Sequence, residues 1–139
     1  MLLKTKYKIA LARALQFPII TLRKMVGLPM VVCVNRNGIR WLLNLNEGID
    51  FCIFLTGKFE HRTVDAIARI VKAGDTVIDI GANIGAHSLP LAKLVGISGH
   101  VIALEPTHFA FEKLNNNIKL NPELSSQILA DQVMLIGSP

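Results

Sequence analysis

Asp79, Gly81, Asn83 and Gly85 stand at alternate positions, and Glu105 follows 26 residues after Asp79. Each residue type has a use at that spacing. A glycine lets a chain turn sharply off a strand and lets a ligand approach bare backbone. A helix opening just beyond the glycines aims its free N–H groups at whatever lies above them. A carboxylate at the end of the neighbouring strand can accept both hydroxyls of a ribose. Taken singly, each residue is more often structural: an Asp at a strand end commonly caps a turn, and a Glu before a Pro is commonly a loop residue. In a strand–turn–helix–strand setting the combination reads as a nucleoside-cofactor site within Gly74 to Pro106.

Two cofactor classes use such a turn. A dinucleotide site normally reads G-x-G-x-x-G, with the pyrophosphate on the helix N-terminus. This chain offers Gly81-x-Asn83-x-x-Ala86, a weak match. Asp79 would also repel a pyrophosphate and attract a cation, a difference of a few kcal/mol at about 4 Å and intermediate dielectric. S-adenosylmethionine carries an ammonium and a sulfonium and no phosphate, so it is the favoured cofactor.

The elements that must position these residues are legible from period and punctuation. Thr76–Ile80 and Val101–Glu105 are short apolar strands. Their apolar residues fall on both faces, which predicts the buried centre of a parallel sheet. The turn at Gly81–Gly85 opens a helix to Val95, with Pro90 inside it, where a bend is expected. Thr107 caps a helix with Phe111, Leu114 and Ile118 inward, closed by Asn121-Pro122, and residues 128–135 form a third strand. Upstream, Val64, Ile67, Ala68 and Val71 mark a helix face between Thr63 and Gly74. Asn35-Arg36-Asn37-Gly38 separates two β-forming runs, the signature of a tight hairpin. Phe51 to Leu55 reads as a further extended stretch. Leu3, Tyr7, Leu11 and Leu15 recur every four residues on a basic N-terminal helix, which Pro18 should end or kink.

Hydrophobic residues make up 51% of the 139 and charged residues 18%, so one packed domain is expected. The net charge of +5 is uneven: residues 1–24 carry six bases and no acid, and the remainder carries nine bases and ten acids, a net of −1. The charge therefore belongs to the arm, which argues against a nucleic-acid partner for the folded body. It leaves room for weak contact between the arm and an anionic membrane surface. Cys33 and Cys52 read as small buried hydrophobes, not as a disulfide framework. His61, His87, His100 and His108 have no metal-ligand spacing, so no metal is expected. His87 reads as a packing or solvated residue. With no apolar run of membrane length and no clear cleavage site, the cytoplasm is the expected compartment.

The stretch from Gly74 to Pro106, "GDTVIDIGANIGAHSLPLAKLVGISGHVIALEP", followed by "FEKLNNNIKLN", resembles the FkbM-type branch of class I S-adenosylmethionine-dependent methyltransferases. "GIDFCIFLTGKFE", Gly48 to Glu60, is similar to that family's lead-in. The resemblance implies an α/β fold, a Rossmann-like parallel sheet with an N-terminal helix and β-hairpin. It implies that Asp79, Gly81, Ala82, Asn83 and Gly85 line the methionine part of the cofactor. Glu105 would bind the ribose, Pro106 would shape the adenosine pocket, and Glu60 would close the site. By the same resemblance the activity is methyl transfer, with O-methylation of a small molecule or sugar expected. The organisation expected is a basic arm over residues 1–29, a lead-in over 30–57, and a cofactor-binding half-domain over 58–139. Three strands of a family sheet of seven point to a truncated sheet with an uncovered apolar face. No catalytic residue can be named, and a non-catalytic remnant of the fold is the alternative reading. A nicotinamide-dependent oxidoreductase fragment is a more distant one.

Overall fold

The computed structural model describes residues 5–136, with side chains from residue 14 onward. The first element, α1 (Thr5–Met25), runs through Pro18 without ending there. Proline removes one backbone donor and frees the carbonyl four residues back, at Ala14. Ala14 and Phe17 are exposed, so water can take over that carbonyl and the helix continues. Leu3 lies outside the described residues.

The hairpin forms as its turn chemistry requires. β1 (Val31–Arg36) pairs antiparallel with β2 (Ile39–Asn44), in register from Arg36↔Ile39 to Val31↔Asn44. Asn37 and Gly38 have φ of 55° and 72°, the left-handed pair that a two-residue hairpin loop demands. Ile39, Trp41 and Leu43 alternate inward and are almost fully buried. Cys33 falls on the outer face and is exposed, and Cys52 is half-buried, so neither is the core residue expected.

The stretch after Gly48 is a helix, α2 (Gly48–Thr56), not a strand. Five consecutive apolar residues carry no period that separates the two. Gly57 decides it: at φ 79° it takes the left-handed position after the helix, and its N–H donates to Ile53 O at 2.8 Å. α3 (His61–Ile70) begins two residues before the expected Thr63 cap, with Glu60 at its N-cap.

The main sheet is parallel, in the order β3 (Thr76–Ile80), β4 (His100–Leu104), β5 (Ile128–Asp131). The central strand is β4, where Val101 and Ala103 are fully buried. β3 is an edge among the described residues, and Ile78 and Ile80 are 57% and 68% exposed. Among the described residues β3 therefore has one neighbouring strand and one covered face. One face is covered and the other, with Ile78, Ile80 and Leu129, is open.

The covered face meets α4 (Ser88–Val95) and α5 (His108–Lys119). α4 starts three residues beyond Gly85, so Pro90 falls in its first turn. The N–H groups there have no intrahelical partner in any case, so the proline costs the helix no hydrogen bond. Leu89, Leu91, Val95, Leu114 and Ile118 bring these helices onto Val101 and Ala103. Burying each such side chain contributes roughly 1.5–3 kcal/mol. A short helix, α6 (Pro122–Ser125), leads into β5, which is four residues long where eight were expected.

Two buried asparagines, Asn117 on α5 and Asn121 at the N-cap of α6, join the hairpin to this body. Asn117 Oδ1 accepts the Leu42 N–H at 2.8 Å, and its Nδ2 donates to Ile84 O at 3.0 Å. Asn121 Oδ1 accepts the Arg40 N–H at 2.8 Å and its Nδ2 donates to Arg40 O at 2.7 Å. The free edge of β2 is thereby satisfied by side chains in place of a third strand.

Candidate cofactor site

The pairing Asp79↔Ala103 and Ile80↔Leu104 sets Asp79 and Glu105 at the carboxyl ends of adjacent strands. Between them the chain leaves β3 through Gly81, φ 77°. The N–H groups of Gly81 and Ala82 both donate to Leu104 O, at 2.8 and 3.0 Å. A Cβ on Gly81 would meet nothing within 4 Å, so the space above the turn is open to a ligand. Gly85 differs: at φ 89°, its Cβ would lie 2.9 Å from Leu114 Cδ1. It is bare because α5 packs against it.

Asn83 sits at φ 49°, unusual for a residue with a side chain. Its N–H donates to Glu105 Oε2 at 2.9 Å, and its own Oδ1 accepts the Ile84 N–H at 2.9 Å. Asparagine tolerates that conformation because its side chain can bond locally. Ala82 and Ile84 point into the core at 3% and 1% exposure and pin the loop from below.

Glu105 is buried, and Oε1 accepts the Thr107 N–H at 2.9 Å and the Thr107 hydroxyl at 2.6 Å. Burial pushes its carboxyl up, but the hydrogen bonds from Thr107 and Asn83 prevail and hold it below its ordinary value. The group is therefore a carboxylate at neutral pH. Three of its four acceptor positions are used, which leaves one, on Oε2, for a ribose hydroxyl. Accepting both hydroxyls, as the sequence led us to expect, requires the Thr107 hydroxyl to turn away. Pro106 is half-buried beside it.

On the other side of the turn, Asp79 Oδ2 accepts the Ser88 hydroxyl at 2.5 Å. Glu60 reaches the same loop through His87: its Oε2 lies 3.7 Å from His87 Nε2 and 3.2 Å from the Thr63 hydroxyl. Glu60 has φ 48° and ψ 62°, a left-handed conformation that costs a side-chain residue roughly 1–2 kcal/mol. His87 occupies the N-cap position of α4, against Phe59, and its Nδ1 is buried with no partner. The structure places Glu60, Asp79, Asn83, Glu105 and Pro106 in two groups flanking Gly81, while Ala82 points into the core and Gly85 packs against Leu114. Asp79, Glu60, His87 and Ser88 form one group, and Asn83, Glu105, Thr107 and Pro106 the other. Sequence reasoning missed Ser88, whose spacing of nine from Asp79 carries no local signal.

These groups fit S-adenosylmethionine. A carboxylate on one flank suits its cationic end, a carboxylate with an open acceptor position on the other suits a ribose, and the turn between them is bare. That cofactor supplies an electrophilic methyl on a sulfonium. This chain's residues would hold and orient it, and such positioning carries much of the barrier reduction in a displacement of this type.

The parallel sheet, the glycine turn and the two strand-end carboxylates define a class I S-adenosylmethionine-dependent methyltransferase fold. A family model described as the TRM5/TYW2 methyltransferase domain matches residues 33–134, and the chain belongs to that family. This is a different branch from the FkbM type that the sequence resembles, and the two agree on class and cofactor. Among curated proteins, the chain is 41% identical over 58 residues to the ribosomal protein L11 methyltransferase of Bacillus velezensis, covering 42% of this chain and 18% of that protein. It is 34% identical over 84 residues to the same enzyme of Bacillus cytotoxicus, covering 58% and 25%. The chain thus spans a quarter or less of the length of these relatives. Among solved structures, TYW2 of P. horikoshii in complex with MeSAdo superposes with a TM-score of 0.56 and 25% identity, over 80% of this chain and 44% of that one. TYW2 of M. jannaschii in complex with AdoMet gives 0.53 and 22%, over 73% and 42%.

Proposed function

We propose that this chain is the cofactor-binding portion of an S-adenosylmethionine-dependent methyltransferase. The observation that carries this reading is the placement of Asp79 and Glu105 on adjacent strand ends, with open space over Gly81 between them. Asp79, Glu60 and the loop from Gly81 to Gly85 hold the methionine end, and Glu105 and Pro106 hold the nucleoside.

For the acceptor we favour a tRNA. The family match over residues 33–134 supports this, as does the fold shared with aTrm5 solved in complex with tRNALeu. The body's net charge of −1 assigns the contacts to phosphate to parts other than this half-site. A protein acceptor is the second reading, favoured by the 41% identity to a ribosomal protein L11 methyltransferase. O-methylation of a small molecule or sugar rests only on the FkbM resemblance and ranks below both.

Calorimetric titration with S-adenosylhomocysteine, with NADH as control, tests the cofactor. Micromolar binding, about −8 kcal/mol, that disappears in Glu105→Ala is the expected result. Binding of NADH in its place would overturn the reading. Transfer of labelled methyl to bulk tRNA, compared with ribosomal protein, separates the two acceptors.

A further inference from the structure

Glu60 stands at the N-cap of α3 but does not cap it with its side chain. An N-cap residue normally has an extended backbone and a side chain that accepts the first free N–H groups of the helix. Glu60 has φ 48° and ψ 62°, and its carboxylate accepts no backbone N–H of α3. Only its carbonyl does so, from Thr63 and Val64 at 2.8 and 3.1 Å. Backbone strain of that kind persists where the surroundings over-determine a residue. What the conformation sets here is the carboxylate. Oε2 accepts the Thr63 hydroxyl at 3.2 Å and lies 3.7 Å from His87 Nε2, with about half of the side chain still open to solvent.

His87 turns one nitrogen toward that carboxylate. Its ring lies against Phe59, with centroids 6.0 Å apart, and Phe59 packs on the core. Nδ1 is buried without a partner, so a proton there would be an unsatisfied donor. The N–H of the neutral ring therefore belongs on Nε2, where a carboxylate faces it. At 3.7 Å the contact is longer than a hydrogen bond, and a small rotation of the exposed Glu60 side chain closes it. The next residue serves the other carboxylate: the Ser88 hydroxyl donates to Asp79 Oδ2 at 2.5 Å. Two successive residues at the start of α4 thus each face one carboxylate of the flank assigned to the methionine end. Neither Asp79 nor Glu60 pairs with a lysine or arginine among the described residues. An ammonium arriving there would meet both carboxylates uncompensated.

We propose that His87 is a positioning residue, a role that rests on the cofactor reading. Through Nε2 it fixes the Glu60 carboxylate against the amino-acid end of the bound cofactor. The site thereby favours ligands that carry that end.

Calorimetric titration with two ligands tests it. S-adenosylhomocysteine carries the amino-acid end and 5′-methylthioadenosine lacks it, while both carry the adenosine and the sulfur. His87→Phe keeps a ring against Phe59 and removes the unpartnered nitrogen, so the thermal unfolding midpoint should not fall. The variant should weaken S-adenosylhomocysteine about five- to tenfold and leave 5′-methylthioadenosine within about twofold. Glu60→Ala should show the same split. The double variant His87→Phe/Glu60→Ala should lose no more than Glu60→Ala alone, because the histidine acts through the carboxylate. His87→Gln, which keeps an N–H donor, should stay within about threefold of the wild type. If the wild type binds S-adenosylhomocysteine and His87→Phe weakens both ligands alike, or neither, the proposal falls and the cofactor reading stands. Additive losses in the double variant overturn the proposal in the same way. A folded wild-type chain that binds neither ligand overturns the cofactor reading, and the proposal with it.

Discussion

The backbone N–H of Asn83 donates to Glu105 Oε2 at 2.9 Å, across 22 residues of chain. One carboxylate thus ties the glycine turn after β3 to the end of β4, and it binds the turn before it binds any ligand. Glu105→Ala should leave the amides of Asn83 and Thr107 without that acceptor, at up to about 1–3 kcal/mol for the half-buried Asn83 and less for the exposed Thr107. Urea unfolding measures that loss, and amide exchange at Asn83 localises it. Unchanged protection at Asn83 would mean the carboxylate does not hold the loop.

Acid should act on the two buried carboxylates with opposite sign. Burial pushes Glu105 up, but Thr107 and Asn83 bring it below its ordinary 4.5, so its stabilisation is present above that value and is lost as pH falls through the folded one. Asp50 is raised above 3.8, chiefly by burial and against the pull of Lys113 and the Asn44 N–H. Its ionisation is disfavoured by folding at neutral pH, and that penalty is relieved as pH falls toward 3.8. Relative to Glu105→Gln, the wild type should lose its advantage on acidification. Relative to Asp50→Asn, it should gain. Denaturation midpoints at pH 7 and at pH values stepped down past 3.8 measure both differences, and a common sign would refute the assignment.

Lys113 holds two carboxylates at once, Glu47 at 2.8 Å and Asp50 at 2.7 Å, and so links α5 to the lead-in. Lys113→Met would leave the buried Asp50 beside Glu47 with no cation. The cost should be about 2–4 kcal/mol, near the value for breaking a buried pair. Asp50→Asn should cost less, because the Asn44 N–H keeps an oxygen acceptor. Equal losses by chemical denaturation would show that the charge balance here is immaterial.

Gly81 and Gly85 share a left-handed backbone but should fail differently. Gly85→Ala adds a Cβ 2.9 Å from Leu114 Cδ1, so it should lower stability by roughly 1–2 kcal/mol or more through backbone strain and crowding. Gly81→Ala meets no neighbour, so only the backbone strain applies there. Its larger effect should be on affinity for S-adenosylhomocysteine, because the methyl group enters the space over the turn. Calorimetry and thermal unfolding on both variants separate the two. Full affinity in Gly81→Ala would place the ligand elsewhere.

Local chemistry in the sequence determined much of this. Asn37-Gly38 specified the hairpin, Thr76–Ile80 the first parallel strand, and the Asp79-to-Gly85 block with Glu105 pointed to the candidate site, because turn preference, period and spacing act over a few residues. The tertiary structure decided what depends on distant partners. Phe51–Leu55 has no period of its own and became a helix through its packing and the left-handed Gly57. The apolar faces of β3 could not reveal that it is an edge among the described residues, and Cys33 looked like core until the hairpin register turned it outward. Asn117 and Asn121 read as a polar run, yet they satisfy the β2 edge some 80 residues upstream. The Glu105–Asn83 bond and the Lys113 bridge likewise join groups whose partners only the packing of α5 and the sheet brings within reach. Side-chain targets set by such packing leave no periodic trace in the chain, which is why the sequence could suggest candidate site residues but not the bonds that hold them.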